Sequence, residues 1–169
     1  MPLTTAEPIA FIPTTDAAAA RNFYETALGL NFVSDDNFAL VFRVGSSQTM
    51  LRVVRIPQPF TPFHFTIYGW EVDDLHSTIA DLKTRGVEFI RIAYFEQDGD
   101  GVWTAPGGAQ VAWFKDPDGN TLSLSKHPAY RSGCYFRVLS VISPGNLRLP
   151  LCLPLSLPSP AVACSSPSS

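Results

Sequence analysis

The sequence predicts an α+β fold: two tandem βαβββ modules whose mixed sheets form a cleft, followed by a disordered C-terminal tail. Three observations carry that expectation. The stretch Val111-Ala-Trp-Phe-Lys-Asp-Pro-Asp-Gly-Asn-Thr-Leu-Ser-Leu-Ser125 reads as two strands around a tight turn. A pattern that runs from Asp16 to Gly29 returns from Asp73 to Gly86, at an offset of 57 residues. At Pro128 the composition changes abruptly.

In the hairpin, Pro117 presets φ, Asp118 can bond its own backbone, and Gly119 takes the left-handed φ that closes the turn. Thr121-Leu-Ser-Leu-Ser125 alternates with period two. Leu122 and Leu124 therefore face a core, and Thr121, Ser123 and Ser125 face the other way.

Taken in order, Pro8–Thr14 is a first strand. Asp16 stands where a helix N-cap belongs, and Ala17–Leu28 is rich in helix formers, with Ala20, Phe23 and Ala27 on one face. Gly29 is the expected stop after the last turn. Leu30–Val33, Phe38–Val44 and Thr49–Ile56 are strands separated by Ser34-Asp-Asp-Asn37 and Gly45-Ser-Ser-Gln48. Pro57–Pro62 is a stiff connector.

The second half repeats this order. Phe63–Val72 is a strand, and Asp73 or Asp74 caps a helix carrying Leu75, Ile79 and Leu82 on one face, which Gly86 stops. Val87–Ile92 is a strand, Glu96–Gln110 is a glycine-rich looser stretch around Trp103, and the hairpin completes the set. Gly29-Leu-Asn-Phe32 and Gly86-Val-Glu-Phe89 match at the same offset, which points to internal duplication. Neither module could bury enough surface alone. Residues 1–128 thus form one domain, with module one about 8–57 and module two about 63–127.

Up to His127 the chain carries 15 acids and nine Lys/Arg; from Pro128 it carries three arginines and no acid. Leu149-Pro-Leu-Cys-Leu-Pro-Leu-Ser-Leu-Pro-Ser-Pro160 is low complexity and its prolines forbid a long helix. Residues 129–169 are read as a disordered Pro/Ser/Leu-rich tail. The net charge of −3 argues against nucleic acid as a partner. No proline-free apolar run of membrane-spanning length occurs and the N-terminus lacks signal-peptide character, so no membrane association and a cytoplasmic location are expected. All three cysteines fall after Pro128, which supports neither a disulfide framework nor a cysteine nucleophile.

The motifs Asp16…Phe23-Tyr24…Leu28-Gly29-Leu30, Glu71-Val-Asp-Asp74 with Gly86-Val87, and Phe114-Lys-Asp-Pro-Asp-Gly-Asn120…Leu122-Ser-Leu124 resemble those of the vicinal-oxygen-chelate superfamily. That superfamily holds glyoxalase I, extradiol dioxygenases, fosfomycin-resistance enzymes and bleomycin-resistance proteins. The resemblance covers about Ile9–His127 and implies paired βαβββ modules, a cleft site and, by analogy, a homodimer. It does not imply one activity, because the fold hosts isomerases, lyases, oxygenases and binders.

The metal ligands that the resemblance implies fall here on Ile9, Arg52, Ile67 and Ser123. Two isoleucines, an arginine and a serine do not offer the imidazole and carboxylate donors a divalent ion needs, so no metal and no cofactor are expected. His64, His76 and His127 read as surface or strand-end residues. If the relatives' ligand positions face the cleft, period two also turns Phe11, Phe65 and Glu71 into it, beside Ile9, Ile67, Thr121 and Ser123. Arg52 would meet an anionic oxygen or pair with Glu71. Glu71 would act as a general base if burial raised its pKa, and otherwise pairs with Arg52 or Lys115. Trp103 in its loop would stack on a ligand, whereas Trp70 and Trp113 read as core packing. These residues suggest a metal-free protein that binds an apolar or aromatic small molecule. The alternatives are a glyoxalase-like lyase or isomerase or a dioxygenase-related enzyme that uses Glu71 and Arg52 or a metal at unusual ligands, and a dimeric module with a vestigial cleft.

Overall fold

A computed structural model describes residues 3–128; the tail expected to be disordered over 129–169 lies outside the described residues. Strand β1 is Ile9–Thr14. Helix α1 follows at Ala17–Arg21, capped by the Asp16 carboxylate, which accepts from the N–H groups of Ala18 and Ala19 at 3.0 Å each. The helix continues in wider π form over Asn22–Ala27, and Gly29 ends it with φ +69°.

That π segment explains a mismatch between the halves. Helix α2, Leu75–Thr84, is capped by Asp74 and not Asp73, since the Asp74 carboxylate takes the Ser77 N–H. From cap to stop glycine, the first helix therefore needs 13 positions and the second 12. A π turn accommodates one residue more than an α turn, so it absorbs the difference. It also brings Tyr24, fully buried, into the core.

The first sheet contains β2 (Asn31–Asp35), β3 (Ala39–Val44) and β4 (Thr49–Arg55) in the order β1-β4-β3-β2. The second contains β5 (Thr66–Glu71), β6 (Phe89–Ile90), β7 (Trp103–Thr104), β8 (Gln110–Lys115) and β9 (Thr121–Lys126) in the order β5-β9-β8-β6, with β7 also on β8. Each begins with a parallel pair, β1 with β4 and β5 with β9, and continues antiparallel. The fold is therefore the α+β pair of mixed sheets that the sequence predicts. Two details differ. The glycine-rich stretch holds β7, because Trp103 and Thr104 pair with Val111 and Gln110 around the Ala105–Ala109 turn. Strand β5 starts at Thr66, three residues later than expected.

One apolar core lies between the sheets and the two helices. Ile12, Phe42, Leu51 and Val53 from the first sheet meet Phe114, Leu122 and Leu124 from the second, with Tyr24, Leu75 and Ile79 from the helices. The Tyr24 ring stands 5.8 Å from that of Phe42, and Phe23 stands 6.4 Å from Phe114. Burying each such large side chain contributes about 1.5–3 kcal/mol.

The Asp116–Asn120 turn clasps the two modules together. Asp118 accepts the Thr14 hydroxyl at 2.6 Å and both the Thr15 N–H and hydroxyl at 2.7 Å. Asn120, 1% exposed, donates its side-chain amide to the Pro13 carbonyl and to Asp116, both at 2.8 Å. The Tyr24 hydroxyl donates to the same Asp116 oxygen at 2.8 Å. Burial pushes the Asp116 carboxyl above its ordinary value, against the lowering pull of hydrogen bonds from Asn120 and Tyr24.

Candidate functional site

The helices cover one face of each sheet, and register places particular side chains on the other, open face. In the first sheet, Ile9 lies opposite Met50 and Phe11 opposite Arg52, which in turn lies opposite Val41. In the second, Thr66 pairs with Thr121 and Gly69 with Ser123, and Ser123 with Trp113. Ser123 and Thr121 are buried on this face. Gly69 is required beside Ser123, since a Cβ there would sit 2.5 Å from the Ser123 hydroxyl and 3.1 Å from its carbonyl oxygen.

Above β8 the open face is aromatic. Phe95 stacks on Trp103 at 4.4 Å between ring centres and on Trp113 at 5.3 Å, with an interplanar angle of only 6° in the second pair. The Trp113 indole N–H donates to the Thr66 hydroxyl at 3.0 Å, which fixes its ring across β9. Trp113 thus belongs to the open face and not to the core as expected: in β8 the core phase is taken by Ala112 and Phe114. Trp70 does pack on the core, 6.1 Å from Phe114.

The remaining candidates divide. Ile9 and Phe11 are 50% and 61% exposed. Phe65 is 61% exposed and precedes β5, so no strand aims it at the open face. Ile67 sits at a bulge between Thr66 and Tyr68 and packs against the core, contrary to the period-two expectation, because the extra residue inverts the alternation. Arg52 is on the open face but pairs with Asp36 in the β2–β3 turn, not with Glu71. Hydrogen bonds from the Ala39 N–H and Arg52 hold the Asp36 carboxyl below its usual value. Glu71 binds the N–H of His127 at 2.6 Å and its Nδ1 at 2.7 Å. Partial desolvation pulls Glu71 upward, yet these two bonds win and hold it low, opposite to the shift a general base needs. Trp103 stands in β7, not in a free loop, and stacks on Phe95. The sequence pattern does not single out Phe95 or Thr66. The bulge and the π segment leave no trace in a periodicity read from sequence, and the fold of the Glu96–Gln110 stretch decides where Phe95 lands.

On the helix-covered side, a cavity of about 380 Å³ opens between the end of the first helix and α2, walled by Leu28, Leu30, Trp70, Leu82 and Leu124, with Asp81 and Arg85 at its rim. Asp81 and Arg85 pair with each other at 2.8 Å, and Glu71, which also lines the cavity, is bound to His127.

The model of the Glyoxalase/Bleomycin resistance protein/Dioxygenase superfamily matches residues 6–124. The chain belongs to this superfamily. None of the curated proteins matches it. Among solved structures, a member of the superfamily from Sphaerobacter thermophilus shares 22% identity at a TM-score of 0.59, over 74% of this chain and 99% of that one. A glyoxalase/bleomycin resistance protein from Catenulispora acidiphila shares 21% identity at 0.54, over 72% and 98%. An integron cassette protein from Vibrio cholerae shares 20% at 0.51, over 73% and 96%. At these identities the likeness establishes the fold and nothing finer.

The metal-ligand positions that the resemblance implies carry Ile9, Arg52 and Ser123, with Ile67 turned into the core, and this donor set does not fit a divalent ion. Among the described residues no three His, Cys, Asp or Glu side chains group so as to hold one. His76 is engaged with Asp98 and Asp100, and His64 is exposed ahead of β5. No helix among the described residues is long and apolar enough to cross a membrane.

Proposed function

We propose that this chain is a small-molecule-binding member of the superfamily, holding an apolar or aromatic ligand in a cleft on the open faces of its two modules, without a resident metal. The observation that supports this most is the aromatic wall of Phe95, Trp103 and Trp113 beside the hydroxyls of Thr66 and Ser123, on the face not covered by the helices. Apolar walls with a few fixed polar groups are what small-molecule sites are made of. A proton-transfer enzyme is less well supported, because Glu71 is tied to His127 and held low, and Arg52 is tied to Asp36. The exposed apolar side chains of Phe11, Phe63 and Phe65 support a homodimer as part of the same proposal, to be checked by sedimentation velocity.

Thermal shift of the full chain against a divalent-ion panel and an aromatic fragment set tests the reading. A ligand that binds only the folded state raises stability by an amount set by its concentration over Kd. Shifts with aromatic fragments and none with metals are expected. A stoichiometric divalent ion, or no shift with any fragment, would sink it.

A further inference from the structure

The three rings of the aromatic wall are not equivalent. Trp113 is fixed by its bond to Thr66 and by its place in the middle of β8, and Trp103 is fixed by pairing in β7 with Val111. Phe95 is held differently. It sits in the short turn Ile92–Phe95, whose own backbone bond is from the Phe95 N–H to the Ile92 carbonyl at 3.0 Å. The turn hangs between firm anchors. At one end Arg91 donates to the carbonyls of Gln97, Asp98 and Gly99; at the other the Gln97 side chain takes the Ile92 N–H at 2.6 Å and donates to Gly101. The neighbouring Tyr94 is 80% exposed. Two rigid indoles are therefore covered by one phenyl ring on a turn whose ends are pinned and whose tip is not.

The centroid distances show the shape of this arrangement. Trp103 and Trp113 lie 6.2 Å apart at 31°, and Phe95 lies over both within 5.3 Å. The indoles lie side by side as a platform bent by 31°, and Phe95 occupies the position that a ring stacked on them would take. Trp113 is 9% exposed with that ring in place.

We propose that Trp103 and Trp113 form a stacking platform for a planar, fused-ring aromatic ligand, and that Phe95 is the internal cover such a ligand displaces; this rests on the reading of the open face as a ligand site. An aromatic ligand exchanges one stacked ring for another, so the self-stacking of Phe95 sets a threshold that only a larger flat ring system overcomes. Ring pairs contribute about 0.5–1.5 kcal/mol beyond area burial, which corresponds to about 2- to 12-fold in affinity. A saturated ligand of the same volume gains burial but not stacking. The apparent affinity of the wild type is lowered by the fraction of molecules whose platform is covered.

The full chain labelled with ¹⁵N at indole nitrogen is titrated with 2-naphthol and, separately, with decahydro-2-naphthol. The three tryptophans give three indole signals, assigned by single Trp→Phe variants, and Trp70 on the opposite side of the sheet is an internal control. In Phe95→Ala, 2-naphthol is expected to bind about 2- to 12-fold tighter than in wild type, moving the Trp103 and Trp113 signals but not Trp70. The saturated analogue is expected to bind more weakly than 2-naphthol in both. Phe95→Leu, which keeps apolar filling without a ring, should show the same gain and covers the case in which alanine unfolds the turn. Equal affinity in wild type and both variants, with the two indoles still moving, would overturn the cover while leaving the open face as a ligand site. Equal binding of the two naphthols would overturn the planar class. Movement of Trp70 alone, or of none of the three signals, would overturn both the platform and the reading on which it rests.

Discussion

Replacing Asn120 by alanine removes the side chain that ties the turn of module two to β1 of module one. The amide donates to the Pro13 carbonyl and to Asp116, both at 2.8 Å, from a position 1% exposed to solvent. Alanine leaves both acceptors short of a donor in a site that water does not reach freely. Each buried acceptor left unpaired costs about 1–3 kcal/mol, so the two together cost about 2–5 kcal/mol after allowing for partial compensation at Asp116. Asp116 keeps the Tyr24 hydroxyl and the backbone N–H groups of Asp118 and Asn120, which is why the lower end of that range applies to it. Against a total stability of about 5–15 kcal/mol, such a loss takes away a large share. Urea unfolding followed by circular dichroism measures it directly. Asn120→Asp, which keeps the shape but puts a second carboxylate beside Asp116, should be worse than alanine. Arg55→Ala, which breaks the exposed pair with Asp35, should change stability by less than about 1 kcal/mol. A loss at Asn120 no larger than that at Arg55 would refute the clasp.

Three further outcomes follow from particular contacts. Gly69→Ala should destabilise by about 1–3 kcal/mol, since its Cβ would crowd the Ser123 hydroxyl, and Ser123→Gly in the same chain should recover part of the loss in a double-mutant cycle of urea midpoints. Asp35 and Asp36 are held below their ordinary values, Asp35 first by Arg55 and Asp36 first by the Ala39 N–H. Their stabilisation is therefore present above the unfolded carboxylate value, near about 4, and fades as pH falls through the lower folded values; urea midpoints from pH 6 downward should drop, and less so in Asp36→Asn. Asp116 has the opposite sign, because burial raises it: its contribution is complete below the unfolded value and is lost as pH rises through the folded one. Tyr24→Phe removes a hydrogen bond that favours the ionised Asp116 carboxylate, so midpoints in that variant should fall more steeply than wild type as pH climbs from about 4.

The parts of this fold that are legible in the sequence are those written in local chemistry. Asp16 caps α1 because a carboxylate at that position meets free N–H groups, and Gly29 and Gly86 end the helices at φ +69° and +84°, where side-chain-bearing residues are strained. Leu122 and Leu124 face the core because strands alternate. What is hidden depends on one-residue insertions. The π segment adds a residue inside the first helix and seats Tyr24 in the core, and the bulge at Thr66 adds one to β5 and sends Ile67 inward while Thr66 takes the open face. Neither insertion changes composition or average periodicity, so counting by three and a half or by two steps past both.

The bulge also shapes the candidate site. The bulge leaves Thr66 where its hydroxyl can receive the Trp113 N–H, which no reading of β8 alone would reveal, because the partner lies 47 residues away. The positions that the resemblance implies for metal ligands on this face hold Ile9, Arg52 and Ser123. The aromatic area of that face lies one strand further out, where Phe95 stacks on Trp103 and Trp113. A metal site needs a few donors aimed at one point, whereas the proposed stacking platform needs aromatic area held rigid, and the Trp113 bond to Thr66 and the pairing of β7 with β8 hold the two indoles. On this account Thr66→Val is the informative perturbation. It removes the acceptor of the Trp113 N–H while keeping shape, so it should broaden or shift the Trp113 indole signal and weaken 2-naphthol binding, yet leave the Trp103 signal of the free protein in place. An unchanged Trp113 signal would mean that β8 alone fixes the indole and that the bulge has no part in the site.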